Sequence, residues 1–143
     1  MESGALLGGL TGADLLSACV AARRMGTAYQ AGDDIEDLVS DLSRGALNGV
    51  IALALEAQDS VGRNRMLQLL ARARQRRLGR DEAEAHAMRF SPYAARLSAW
   101  AGGLLAEAVG GLDEHPLAPV LIAAAGDLGA RMPLVSEVTE HAA

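Results

Sequence analysis

Four of the five residues 33–37 are acidic: Asp33, Asp34, Glu36 and Asp37. They sit inside an otherwise apolar, helix-forming segment. At about 3.6 residues per turn, Asp33 and Asp37 stack one turn apart on a helix. Gln30 and Asp34 form a second such pair beside them, and Asp41 extends the Asp37 row. Carboxylates stacked this way on an exposed helix repel by a few tenths of a kcal/mol per pair, roughly. A cation between them reverses that sign. Hard oxygen ligands on one helix face suit Mg²⁺, which keeps several waters and takes one or two protein carboxylates plus substrate phosphates. The plainer reading of the same string is a solvated acidic face.

The surroundings add to the first reading. Tyr29-Gln30 precedes the string, among the small residues Gly26, Ala28, Ala31 and Gly32. Asp41-Leu42-Ser43-Arg44-Gly45 follows, and then a new apolar run. In this order the segment resembles the second aspartate-rich region of the trans-isoprenyl diphosphate synthases, the polyprenyl synthetase family. There an aromatic-Gln pair precedes DD-x-x-D on a long core helix, and an Asp-Leu-x-x-Gly-Lys segment leads to the next helix. Tyr29, Gln30, Asp33, Asp34, Asp37, Asp41, Leu42 and Gly45 fit. Ser3-Gly4-Ala5-Leu6-Leu7 resembles the small-residue helix that comes earlier in the family. The likeness is specific over residues 26–45, looser over 3–57 and architectural beyond.

The resemblance implies an all-α fold, a helical bundle like the C-terminal half of the isoprenoid synthase fold. It implies Mg²⁺ as cofactor, with Asp33 and Asp37 as metal ligands and Asp34 as a further catalytic carboxylate. Gln30, Tyr29 and Arg44 would contact substrate. The implied chemistry joins an allylic diphosphate to isopentenyl diphosphate in a cavity lined by small residues. Two departures qualify it. The family carries two aspartate-rich motifs on facing helices, and only one is found here. The family's Lys after Asp-Leu-x-x-Gly is Ala46, in a chain whose 13 cationic residues are all Arg. The expected partner is therefore a second subunit carrying the first motif, in a heteromer or a homo-oligomer. The alternatives are a non-catalytic subunit that tunes a partner's product length, and a helical interaction module whose acidic face docks a basic partner. A cyclase or another terpenoid enzyme would share the metal chemistry.

A length of 143 residues suits one domain, expected over 1–143 with 134–143 as a flexible tail. Half the residues are hydrophobic yet only 3% are aromatic, and Ala and Leu dominate, which favours closely packed helices. A net charge of −5 argues against nucleic acid as the main partner. The lone Cys19 allows no internal disulfide and reads as a small core residue, fitting a reducing compartment. No cleavable leader is expected from the first residues, which lack a basic, apolar leader pattern, and no apolar run reaches the roughly 18 residues of a membrane span. The expected location is cytoplasmic.

These elements must position the acidic string. The first residues, with Leu6, Leu7 and Leu10, begin as if in mid-helix and need cover. Thr11 is a candidate N-cap, with Asp14 three residues on. A long helix is expected over 12–42, burying Leu15, Cys19, Met25 or Ala22, and Tyr29. Gly45 ends it as the residue after the cap. A short helix over 47–57 is apolar nearly all round and expected to be buried. Asp59 or Ser60 caps a helix over 61–77 whose end is basic, with Arg72, Arg74, Arg76, Arg77 and then Arg80. Those arginines read either as a diphosphate patch or as cations favoured at a helix C-terminus. A helix over 81–89 is broken at Ser91-Pro92, with Ser91 expected as the next N-cap. Helices over 93–109, with Trp100 in the core, and over 117–131 complete the bundle. Gly110-Gly111 and the loop 113–116 separate them. Met132-Pro133 ends the last.

Overall fold

A computed structural model describes residues 12–112 and 115–131. All its regular structure is helical among the described residues. The elements are α1 (Gly12–Glu36), α2 (Leu38–Arg44), α3 (Gly49–Ala57), α4 (Ser60–Arg76) and α5 (Arg80–Ala87). A 3₁₀ turn (Met88–Phe90), α6 (Ser91–Gly110) and α7 (Ala118–Arg131) follow. The expectations for residues 1–11, for Asp113-Glu114 and for the stop and tail after Arg131 lie outside the described residues. No single described helix is long and apolar enough to cross a membrane; α2 and α3 are long and apolar enough only as a pair, bent by 73°.

The described chain divides into two compact units. One holds α1 up to Gly32, α6 from Ala99 onward, and α7. Its core is largely alanine: Ala18, Ala21, Ala28 and Ala31 from α1, Ala101 and Ala108 from α6, and Ala125 from α7, filled out by Met25, Leu105, Leu112 and Leu121. Side chains this small let helix backbones approach, which is how a chain almost without aromatics fills its interior. The expected α1 stripe is corrected accordingly. Met25 is buried, but Tyr29 is 50% exposed, and Leu15, Ala22 and Cys19 are only half-buried. The buried spacing is set by alanines that the larger residues do not displace. Trp100 is likewise 52% exposed, because Ala101 takes the inward position on the row Ala101, Leu105 and Ala108.

His115 is 8% exposed and joins the approach to α7 onto the start of α1. Its Nδ1 accepts from the Leu117 N–H at 3.0 Å, so Nε2 carries the hydrogen and donates to the Asp14 carbonyl at 2.8 Å. Arg24 reaches the Glu107 carboxylate at 3.2 Å and its carbonyl at 3.3 Å. Both side chains are exposed enough that this pair contributes under about 1 kcal/mol.

The other unit spans Asp33–Ser98. Here α2 packs on α4 and α5, and α3 packs on α4 and the 3₁₀ turn. Leu42, Val50, Ile51, Ala54 and Ala73 are fully enclosed, with Leu38, Leu70, Leu78, Ala83, Phe90 and Leu97 around them. The short helix α3 is not buried all round: Val50, Ile51 and Ala54 face the core, and Leu47, just before it, is exposed. The 3₁₀ turn replaces the expected break before Ser91. Ser91 has helical dihedrals and does not cap α6 with its side chain, while Pro92 sits in the first turn, where a missing N–H costs nothing.

Gly45 ends α2 as expected, with φ +67°. Its N–H donates to the Leu42 carbonyl at 3.2 Å and the Ala46 N–H to the Asp41 carbonyl at 2.9 Å, the paired bonds of a Schellman motif. The glycine is required twice over, since a Cβ there would overlap the Leu70 carbonyl and approach the Arg74 nitrogen to 2.7 Å. Arg74 donates to the Gly45 carbonyl at 3.1 Å, and the Leu78 N–H donates to the Ser43 carbonyl at 3.0 Å. The end of α4 is thus strapped to the end of α2.

Candidate functional site

The acidic string spans the junction of α1 and α2. Asp37 (φ −84°, ψ 0°) departs from regular helix, so the expected single helix is two. The hydrogen-bonding row nevertheless continues: the Asp37 N–H donates to the Asp33 carbonyl and the Asp41 N–H to the Asp37 carbonyl, each at 2.8 Å. Asp33, Asp37 and Asp41 therefore keep the one-turn spacing expected of them.

Their neighbours divide them. Asp34 Oδ2 accepts from the Gly49 N–H at 2.8 Å, supplying one of the partners that the first turn of α3 lacks. A Cβ at residue 49 would lie 2.7 Å from Asp34 Oδ2, so glycine lets the two meet without displacing that carboxylate. Asp41 Oδ1 accepts from Arg44 at 2.8 Å, and its Oδ2 accepts from Asn48 Nδ2 at 3.0 Å. Asn48, 8% exposed, is the centre of this arrangement. Its Nδ2 also donates to the Asp34 carbonyl at 3.0 Å, and its Oδ1 accepts from the Ile51 N–H at 3.0 Å as the N-cap of α3. Asn48 is not among the site residues expected from the sequence. The signal was present: Asn followed by Gly directly before an apolar run is an N-cap pattern.

Asp33, half-buried, and Asp37, exposed, make no side-chain hydrogen bond or ion pair with described residues. Their oxygens remain available one turn apart. This donor set fits a hard divalent cation that brings its own waters and a phosphate ligand. A protein-only cage is a different matter: among the described residues no three His, Cys, Asp or Glu side chains converge on one point.

Of the other expected site residues, Arg44 is drawn into its ion pair with Asp41. Tyr29 and Gln30 fall in the first unit, both exposed. The arginine cluster is mostly consumed by local partners. Arg72 pairs with Glu82, Arg74 holds the Gly45 carbonyl, and Arg80 donates to Glu84 at 2.7 Å. The Glu84 hydrogen bond and charge raise the Arg80 guanidinium above its ordinary pKa.

Comparison of the chain with protein-family models, with curated proteins and with solved structures finds no match.

Proposed function

We propose that this chain contributes the second half of a Mg²⁺-dependent isoprenyl diphosphate site, completed by a partner that carries the first aspartate-rich motif. The observation that carries this reading is the uncommitted pair Asp33 and Asp37, one turn apart, inside the order of residues that resembles the polyprenyl synthetases. In this reading Asp33 and Asp37 hold the cation, which when bound neutralises charge on a leaving diphosphate. Asp34 acts indirectly, since its bond to Gly49 fixes the end of α1 against the start of α3. The chain then works as part of a heteromer, joining allylic and isopentenyl diphosphates.

One observation favours a second reading, a helical interaction or regulatory module without chemistry. Two of the string's carboxylates, Asp34 and Asp41, are accounted for by local hydrogen bonding alone. Co-expression with candidate partners, followed by light scattering and a condensation assay with Mg²⁺, separates the two. The proposal expects a stable heteromer that converts allylic and isopentenyl diphosphates and loses that activity on Asp33→Ala. Unchanged activity in the mutant complex would make the subunit regulatory. A folded monomer indifferent to Mg²⁺ and diphosphate would leave only the helical module.

A further inference from the structure

Away from the aspartates, the second unit contains a cleft of about 350 Å³ between α4 and the segment from α5 to the start of α6. Its floor is apolar, formed by buried Phe90 with half-buried Met66 and Leu69. Its rim is basic, from Arg65, Arg89 and His86, and no Asp or Glu lines it. In a chain of net charge −5 this is a local reversal of sign. It also differs from the arginines at the end of α4, because Arg65 and Arg89 have no carboxylate partner among the described residues while Arg72 and Arg80 do. A neighbouring hollow of similar volume shares Arg65, Leu69 and His86 and extends the basic rim toward Arg72.

The polar wall is fixed in place. Asp59 Oδ1 accepts from the Gly62 N–H at 2.7 Å and caps α4. Gly62 lacks the Cβ that would overlap Gln58 Oε1, so Gln58 can lie against the first turn of α4. From there Gln58 Nε2 donates to the Tyr93 hydroxyl at 3.2 Å. A hydroxyl that accepts one hydrogen bond still has its own hydrogen to give. The cleft therefore offers guanidinium and phenol donors above an apolar floor, at a size usual for small-molecule sites.

We infer that the cleft binds an amphiphilic anion, a phosphate or carboxylate head on a compact apolar body. Arg65 and Arg89 take the head, for which the planar guanidinium is suited. The Tyr93 hydroxyl adds a neutral donor, and the body lies on Phe90, Leu69 and Met66, the last adaptable in shape. The site does not rest on the metal reading, since neither Asp33 nor Asp37 lines it.

Calorimetric titration of the full chain in EDTA, with octyl phosphate below its micelle concentration, tests this. One molecule is expected to bind per chain, about ten-fold or more tighter than inorganic phosphate or octanol. Arg65→Ala and Arg89→Ala should each weaken binding about ten-fold, and Tyr93→Phe by a smaller factor. Circular dichroism should be unchanged, as both arginines are exposed. Asp33→Asn should leave the titration untouched, which separates this site from the metal site. Octanoate in a parallel titration distinguishes a carboxylate head from a phosphate. The inference is overturned if neither octyl phosphate nor octanoate binds, if inorganic phosphate or octanol binds as well, or if the arginine variants bind like the original chain.

Discussion

Two pairs of aspartates in one short stretch have opposite fates. Asp34 and Asp41 are bound into the turn before α3 through Gly49 and Asn48, while Asp33 and Asp37 keep their oxygens free of described partners. The residue type is the same, and all four lie within about two turns of one another. What differs is which side of the helix faces the turn that follows Gly45. Facing that turn, Asp34 meets the bare Gly49 N–H at the start of α3, and Asp41 meets the side chain of Asn48, the N-cap. A carboxylate facing elsewhere remains available to a ligand. An acidic string is therefore not one feature, and mutating it as a block would mix stability with binding.

The largest way to break this comparison is at Asn48. Asn48→Ala removes three hydrogen bonds and leaves the Asp34 carbonyl and the Ile51 N–H without this partner. A loss of about 3 kcal/mol is expected in urea denaturation. A loss below about 1 kcal/mol would mean that the turn is held by something else. Next, Asp34→Ala should cost about 1–2 kcal/mol by removing the Gly49 cap. Gly49→Ala should disturb the same bond, because its Cβ would crowd Asp34 Oδ2. The two together should cost clearly less than their sum. At the small end, Asp33→Asn and Asp37→Asn should change stability by less than about 0.5 kcal/mol, with slight stabilisation expected because they relieve like-charge repulsion. A large loss at either would move it into the structural pair.

The helical class and most element ends were readable in the sequence because they are written in local chemistry. Gly45 after Arg44, Asp59 before Ser60 and the stack of Asp33, Asp37 and Asp41 all follow from backbone geometry within a few residues. What escaped depends on contacts distant in sequence. The choice of Ala101 over Trp100 for the inward row is made by neighbouring helices. The same holds for the alanine stripe Ala18, Ala21, Ala28 and Ala31 in place of Leu15, Cys19 and Tyr29. Apolar periodicity gives a helix face its general direction, but alanine and leucine count alike in it, and close packing selects the smaller. The division of the aspartates escaped for a related reason. It is imposed by Asn48 and Gly49, which lie beyond α1 and α2, the helices that carry the carboxylates.

The most direct test of that division uses Mn²⁺, a paramagnetic hard cation, titrated in the presence of inorganic diphosphate into the ¹⁵N-labelled chain. Backbone amide signals broaden near the bound ion whether or not a partner is present. The account predicts broadening centred on Asp33 and Asp37, abolished by Asp33→Asn with Asp37→Asn and retained in Asp34→Asn. Broadening centred elsewhere, or unchanged in the Asp33→Asn and Asp37→Asn double variant, would contradict it.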